Sequence, residues 1–359
     1  MKELRSSPWP TDEIGQLFMA GMPGPRLDER TVSLIRDFNL GGVILFARNI
    51  EDPLQVARLC LDIQECAAAH DRPSLFLAVD QEGGRVARLR EPFTPFPGNS
   101  VLAMDAHPVE KALEFGSITA REMKLVGLNM NLAPVVDVQR GEIEKHLAGR
   151  SFGTDPQQVA LLGRMVVRAL QGNEVMAVAK HFPGLGRTSL DPHHHLPRID
   201  VDRDEMEEVN LPPFKAAIEE GVSGIMSSHA VYPALDGERP ATLSPKVLRS
   251  LLREEMGFNG LVITDDLEMG AISKQWSVAE GAVSAFEAGA DILLICKEQE
   301  NVLESMGRLK DRFSEGAIPL ERLRESHDRI REAKARFLGA GERVSLRNVE
   351  GYFHEVIRT

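Results

Sequence analysis

Short apolar or β-branched runs recur along the chain, each separated from the next by enough residues for a helix. They are "LFMAGM" (17–22), "GGVILF" (41–46), "SLFLAVD" (74–80), "LNMNLAPVVD" (128–137), "VMAVAKHF" (175–182), "GIMSSHA" (224–230), "GLVITDD" (260–266) and "ADILLIC" (290–296). Most are continuous rather than alternating, which is how strands buried on both faces of a parallel sheet read. The stretches between them carry a helical period. In "DPLQVARLCLDIQECAAAH" (52–70), Leu54, Val56, Leu59, Ile63 and Cys66 fall close to one stripe. "DPQQVALLGRMVVRALQG" (155–172) opens on an aspartate N-cap followed by proline and ends on Gly172. "SVAEGAVSAFEAG" (277–289) ends on a glycine just ahead of a strand. Eight strands, each followed by a helix, predict a (β/α)8 TIM-type barrel. A doubly wound open sheet shares the alternation, but eight units without a glycine fingerprint favour the barrel.

No linker divides the chain, so residues 1–359 are expected to form a single catalytic domain with its core over about 12–337. Residues 316–337 read as one more helix, with Leu320, Leu323, Ile330 and Ala333 on a face. The tail 338–359 is polar with a few apolar anchors and is expected to dock on the barrel or fray.

Composition narrows the function. With 43% hydrophobic and 27% charged residues there is material for a large core in a soluble protein. A net charge of -12 argues against a nucleic-acid partner, which needs a basic face. No apolar run is long enough for a signal peptide or a membrane span. Cys60, Cys66 and Cys296 form neither a CxxC pair nor a disulfide framework and are expected to be buried thiols. The expected location is a reducing cytoplasm.

In a barrel the chemistry sits where the strands end. The predicted strands end in Asp80, Asp137, Lys180 and His181, Ser228 and His229, and Asp265 and Asp266. So many polar strand ends point to one polar pocket. Neighbouring strand residues face opposite ways, so one of Asp265 and Asp266 is expected to face the pocket and the other to cap or pair elsewhere. Lys180, Arg150 or Arg88 could hold the inward carboxylate ionised, as a nucleophile or a metal ligand. The three histidines of "LDPHHHLPRI" (190–199) do not converge on one ion, and Pro192 and Pro197 are expected to hold the segment extended. A mobile loop carrying one acid/base histidine fits better, since Asp191 stands close enough to bond the ring of His193. A metal hydrolase built on Asp80, His181, His193 and Asp265 stays open on these residues alone, as does a merely solvated histidine loop.

Four ordered blocks then carry a family resemblance: "VDQEGGRVARL" (79–89), "GRSFGTDP" (149–156), "AKHFPGLGRTSLDPHHHLP" (179–197) and "VITDDLEMGAI" (262–272). They resemble glycoside hydrolase family 3, and within it the single-domain bacterial β-N-acetylglucosaminidases of the NagZ type, from about residue 12 to 337. The resemblance implies a (β/α)8 barrel. It also implies a retaining exo-β-N-acetylglucosaminidase acting on GlcNAc-terminated muropeptides in peptidoglycan recycling, or on chitooligosaccharides, with no metal or cofactor, as a monomer. It places the nucleophile at Asp265, an acid/base histidine at His193 paired with Asp191, and sugar-binding groups at Asp80, Arg88, Arg150, Lys180 and His181. His194 and His195 match nothing in the catalytic pattern.

The chain departs from the pattern at Leu185, where a histidine is usual, at Arg187, where an aspartate is usual, at Pro192, usually serine, and over "RGEIEKHLAG" (140–149). A β-glucosidase of the same family usually draws its acid/base glutamate from a second domain, for which this chain is expected to be too short.

Overall fold

The computed structural model describes residues 11–141, 147–188, 190–339 and 344–358. Among these, eight strands lie on the eight predicted runs: β1 (Phe18–Gly21), β2 (Gly42–Leu45), β3 (Phe76–Val79), β4 (Met130–Asn131), β5 (Met176–Phe182), β6 (Gly224–Ser227), β7 (Leu261–Thr264) and β8 (Leu293–Ile295). Their order in the sheet is β7-β6-β5-β4-β3-β2-β1-β8. All pairings are parallel; Val43, for example, lies between Ala20 and Leu77. The sheet closes on itself between β7 and β8. The Asp291 and Ile292 amides donate to the Val262 carbonyl at 2.7 and 3.1 Å, and the Thr264 amide donates to the Ile292 carbonyl at 3.0 Å. Closure makes this a barrel and excludes the open sheet.

Each strand is followed by a helix: α1 (Glu29–Phe38), α2 (Pro53–Ala69), α3 (Pro108–Leu125), α4 (Pro156–Gly172), α5 (Leu211–Glu219), α6 (Lys246–Glu255, wound as a π-helix), α7 (Val278–Ala288) and α8 (Gln299–Ser314). The starts follow local chemistry. Asp28, Asp52, Asp155 and Ser277 each accept a backbone N–H of the first turn, and Pro53 and Pro156 occupy positions where no N–H is needed. α7 ends on Gly289 at φ 127°, a conformation that costs glycine little. The apolar stripe of α2 faces inward, with Val56, Leu59 and Ile63 buried and Leu54 and Cys66 half-buried.

Two stretches differ from expectation. The run 128–137 is a regular strand only at Met130–Asn131. Pro134 has no N–H to give the ladder, and beyond it pairing with β5 continues irregularly: Val178 and Lys180 amides donate to the Ala133 and Pro134 carbonyls at 3.0 and 3.1 Å. In β5 the register against β6 shifts between Ala179 and Phe182, an extra residue that re-aims the strand end. The predicted ninth helix forms as α9 (Leu320–Phe337), and the tail beyond it docks as α10 (Leu346–Arg358). Val349 and Phe353, four apart and so on one face, are buried, and the Phe353 ring meets Phe93 edge-on at 4.7 Å.

Candidate active site

The strand ends surround a cavity of about 350 Å³. Asp80, Arg88, Arg150, Lys180, His181, His193 and Asp265 all line it, so the structure gathers the predicted residues, with Asp191 behind His193. Lys180 and His181 are adjacent in β5 yet both reach the cavity, because the register shift ends the strict alternation there.

One wall of the cavity is built from β3 outward. Asp80 follows the last residue of β3 and accepts from Lys180 Nζ at 2.8 Å and Arg88 Nη2 at 3.3 Å. Arg88 reaches it because Gln81 folds the intervening chain back: the Gln81 side chain accepts the Arg88 and Leu89 amides at 2.9 Å and donates to the Leu89 carbonyl at 3.0 Å. Buried Asn131 on β4 clamps the Gln81 backbone through two bonds of 3.0 Å.

Sequence reasoning passed over Glu82, although it sits inside the first quoted block. It is almost wholly buried. One oxygen meets Lys180 Nζ at 2.6 Å, and the guanidinium of Arg150 binds both oxygens at 2.8 and 2.9 Å. Burial alone would raise its pKa, but Lys180 and Arg150 hold it well below the carboxylate range. Lys180, which burial would lower, is raised by Asp80 and Glu82. Both ions therefore stay charged in a nearly dry wall. The only signal in the sequence was a carboxylate followed by two glycines, two residues after a strand-end aspartate.

Asp137 and His181 form a second buried pair. His181 Nδ1 lies 2.8 Å from Asp137 Oδ2, and the other Asp137 oxygen accepts the His181 and Leu185 amides at 3.2 and 2.6 Å. Leu185 is thereby set into the cavity wall. Arg187 turns away to pair with Glu205. Residues 142–146 of the departing stretch lie outside the described residues.

Asp265 and Asp266 follow β7, which stops at Thr264. Both line the cavity, because strand alternation ends where the strand does, yet Asp266 also caps as expected: its Oδ1 accepts the Glu268 amide at 3.1 Å and the Cys296 amide at 3.3 Å. Their environments nevertheless separate them. Burial would raise Asp265, but His229, His181, the Asp266 N–H and Lys180 lower it, so it is ionised at neutral pH. Burial pushes Asp266 up to about 7, with Glu268 and Asp265 adding to the rise. Buried His229 fixes the strand end by bonding the Asp266 carbonyl through Nε2 at 3.0 Å.

The segment 190–195 is a turn, not the extended stretch the prolines suggested. The Asp191 carbonyl accepts both the His194 and His195 amides at 3.0 Å, while its side chain accepts the His193 amide at 2.9 Å. Aspartate followed by proline favours such a turn. It brings Asp191 Oδ1 to 2.7 Å from His193 Nδ1, and Pro192 and His193 to the cavity. His194 and His195 are exposed. Among the described residues, no three histidine, cysteine, aspartate or glutamate side chains are arranged to hold a metal. Cys60 and Cys296 are buried and Cys66 half-buried. Cys296 also lines the cavity, its thiol raised well above the usual range by burial and by the aspartates beside it.

One cavity thus gathers a carboxylate kept ionised, a set of cations and a histidine–aspartate pair, groups that a glycoside hydrolase could use. The chain belongs to glycosyl hydrolase family 3: the family's N terminal domain matches residues 11–333. It is similar to a Beta-hexosaminidase of Nitrosomonas eutropha, 36% identical with 86% of this chain and 91% of that protein covered. It is also similar to Beta-hexosaminidase A of Pseudoalteromonas piscicida, 35% identical with 90% of this chain covered, and the chain spans 57% of that protein's length. Among solved structures, a glycoside hydrolase family 3 beta-N-acetylglucosaminidase from Paenibacillus sp. str. FPU-7 superposes with a TM-score of 0.90 at 37% identity, covering 98% of this chain and 68% of that one. Among the described residues, no helix is long and apolar enough to cross a membrane.

Proposed function

We propose that this chain is a retaining exo-β-N-acetylglucosaminidase. Asp265 attacks the anomeric carbon and forms a glycosyl-enzyme, while His193 gives a proton to the departing oxygen. His193 then takes a proton from the water that releases the sugar. Asp191 orients the imidazole through Nδ1, so that Nε2 is the nitrogen exchanging protons with substrate. Asp80, Arg88, Arg150, Lys180 and His181 bind the terminal sugar. The observation that carries this reading is the split between two adjacent carboxylates: Asp265 is held ionised as a nucleophile must be, with a histidine–aspartate pair at the same cavity.

The family resemblance supports a muropeptide-derived GlcNAc disaccharide as the natural substrate, with the chain working as a cytoplasmic monomer in peptidoglycan recycling. The test compares p-nitrophenyl β-N-acetylglucosaminide with the β-glucoside, with and without EDTA, and follows the first-formed anomer by proton NMR. Preference for the acetamido sugar, indifference to EDTA and a β-anomer are expected. An α-anomer would make Asp265 a base in a single displacement, and loss of activity in EDTA would restore the metal hydrolase.

A further inference from the structure

The turn that carries His193 is also held from outside its own segment. It docks on the short helical turn Gly270–Ser273, which begins five residues after Asp265. The Gly270 amide donates to the His193 carbonyl and the Ala271 amide to the Pro192 carbonyl, both at 3.0 Å. Lys274 Nζ donates to the His194 carbonyl at 2.8 Å. Consecutive carbonyls of the histidine turn are thus gripped by donors at positions 270, 271 and 274.

At Gly270 there is no room for more. A Cβ placed there would lie 2.7 Å from the His193 carbonyl oxygen and 3.2 Å from the His194 Cα. Both are backbone atoms, which cannot swing aside as a side chain would. The docking surface is itself anchored to the barrel. The Leu267 amide donates to the Leu294 carbonyl at 3.0 Å. The Glu268 carboxylate accepts the Lys297 and Glu298 amides at 2.6 and 3.0 Å, and Asn301 Nδ2 at 2.7 Å.

We propose that residues 267–274 are the dock that sets where His193 stands relative to Asp265, with Gly270 and Lys274 as positioning residues for the proton-transfer step. The proposal rests on reading His193 as the acid/base. One block of sequence, "TDDLEMGAISK" (264–274), then does two jobs: it ends the strand that carries Asp265 and, one turn later, presents the surface that seats its partner. The separation of the two reacting groups is set through a few anchored residues rather than across the barrel.

The test reads dependence on the leaving group. A sugar leaving group needs a proton, whereas 2,4-dinitrophenolate leaves almost unaided. A misplacement of about an ångström can cost ~10²-fold in rate. Gly270→Ala is therefore expected to lower kcat/KM on chitobiose by ~10-fold or more and on the dinitrophenyl glycoside by less than ~3-fold. Lys274→Met removes one donor at an exposed position without a clash and should show the same pattern at ~2–3-fold.

His193→Ala is the reference. If it shows no leaving-group-dependent loss, the acid/base reading itself fails. If it shows one and Gly270→Ala loses nothing, or loses equally on both substrates, the dock is overturned while the functional reading stands. Should Gly270→Ala not fold, Lys274→Met decides on the same criterion.

Discussion

Two buried clusters of arginine and carboxylate sit at opposite ends of this barrel. At the amino-terminal end, Asp291 precedes β8 and is fully buried. It accepts Arg253 Nη2 at 2.5 Å, Ser326 Oγ at 2.6 Å, the Val262 amide at 3.0 Å and Arg329 Nη1 at 3.2 Å, with Arg322 Nη1 3.6 Å away. Other guanidinium hydrogens go to the carbonyls of Phe258, Gly260, Phe286 and Ala290. Burial lowers Arg253 to about 10 despite Asp291, and Arg329 and Arg322 add to the fall. This cluster ties α6 and α9 to the barrel floor. At the carboxy-terminal end, Asp80, Glu82, Arg150 and Lys180 are paired just as closely, but three of the four also face an open cavity beside Asp265.

The lesson is that buried charge does not by itself mark a site. Both clusters carry ions that water would otherwise solvate, and both need their partners. They differ in where the remaining hydrogen-bonding capacity points: inward to carbonyls at one end, into an open cavity at the other. Conservative changes at the two ends should therefore fail in different currencies, activity at one and stability at the other.

The largest separation is expected between Asp265→Ala and Asp291→Ala. The first should lower kcat on every β-N-acetylglucosaminide by at least ~10²-fold, since a nucleophile acts in the chemical step, with substrate affinity and the urea midpoint nearly unchanged. The second leaves three arginines without their carboxylate and should cost ~3–5 kcal/mol of stability, while protein that remains folded turns over normally. Steady-state kinetics beside urea unfolding reads both. Asp265→Ala retaining more than about one part in a hundred of kcat would remove it as the nucleophile.

Glu82→Gln probes the boundary between the two behaviours, because Glu82 is as buried as Asp291 yet holds two cavity residues. Loss of a charged hydrogen-bond partner is worth ~1.5–3 kcal/mol, so a fall of ~10-fold or more in kcat/KM is expected together with a smaller stability loss than Asp291→Ala causes. A stability loss with unaltered kcat/KM would place Glu82 with the floor cluster.

The smallest effect is one of pH. Asp266 is raised to about 7 in the folded protein from an ordinary value of 3.8. Between these values the unfolded chain has lost this proton and the folded chain retains it. Its contribution to stability is therefore complete below about pH 4 and drains away as the pH rises towards 7. Asp266→Asn should flatten that part of the curve, read from urea midpoints at pH 4, 5.5 and 7. An unchanged slope would mean that Asp266 is ionised in the fold.

Much of this protein was legible in order along the chain. The eight apolar runs located β1 to β8, and Asp155 with its proline, Gly172 and Gly289 located the ends of helices. The motif blocks led to Asp80, Lys180, His193 and Asp265, all of which line one cavity. These are short-range facts: strand and helix periods, caps and turn residues act over a few positions, where a linear sequence displays them directly.

What required the tertiary structure was every relation between remote positions. Strand alternation could not say that Asp266 faces the cavity, because β7 ends one residue before Asp265. The register shift in β5 that exposes both Lys180 and His181 depends on the neighbouring strand. Glu82 became visible only when barrel closure brought Arg150 and Lys180 to its two oxygens. The polar tail became α10 because Val349 and Phe353 found a surface to bury against. The dock for His193 exists because Gly270, lacking a side chain, lies against a backbone far away in sequence. Such contacts are selected by the closed fold as a whole, and no local pattern encodes them.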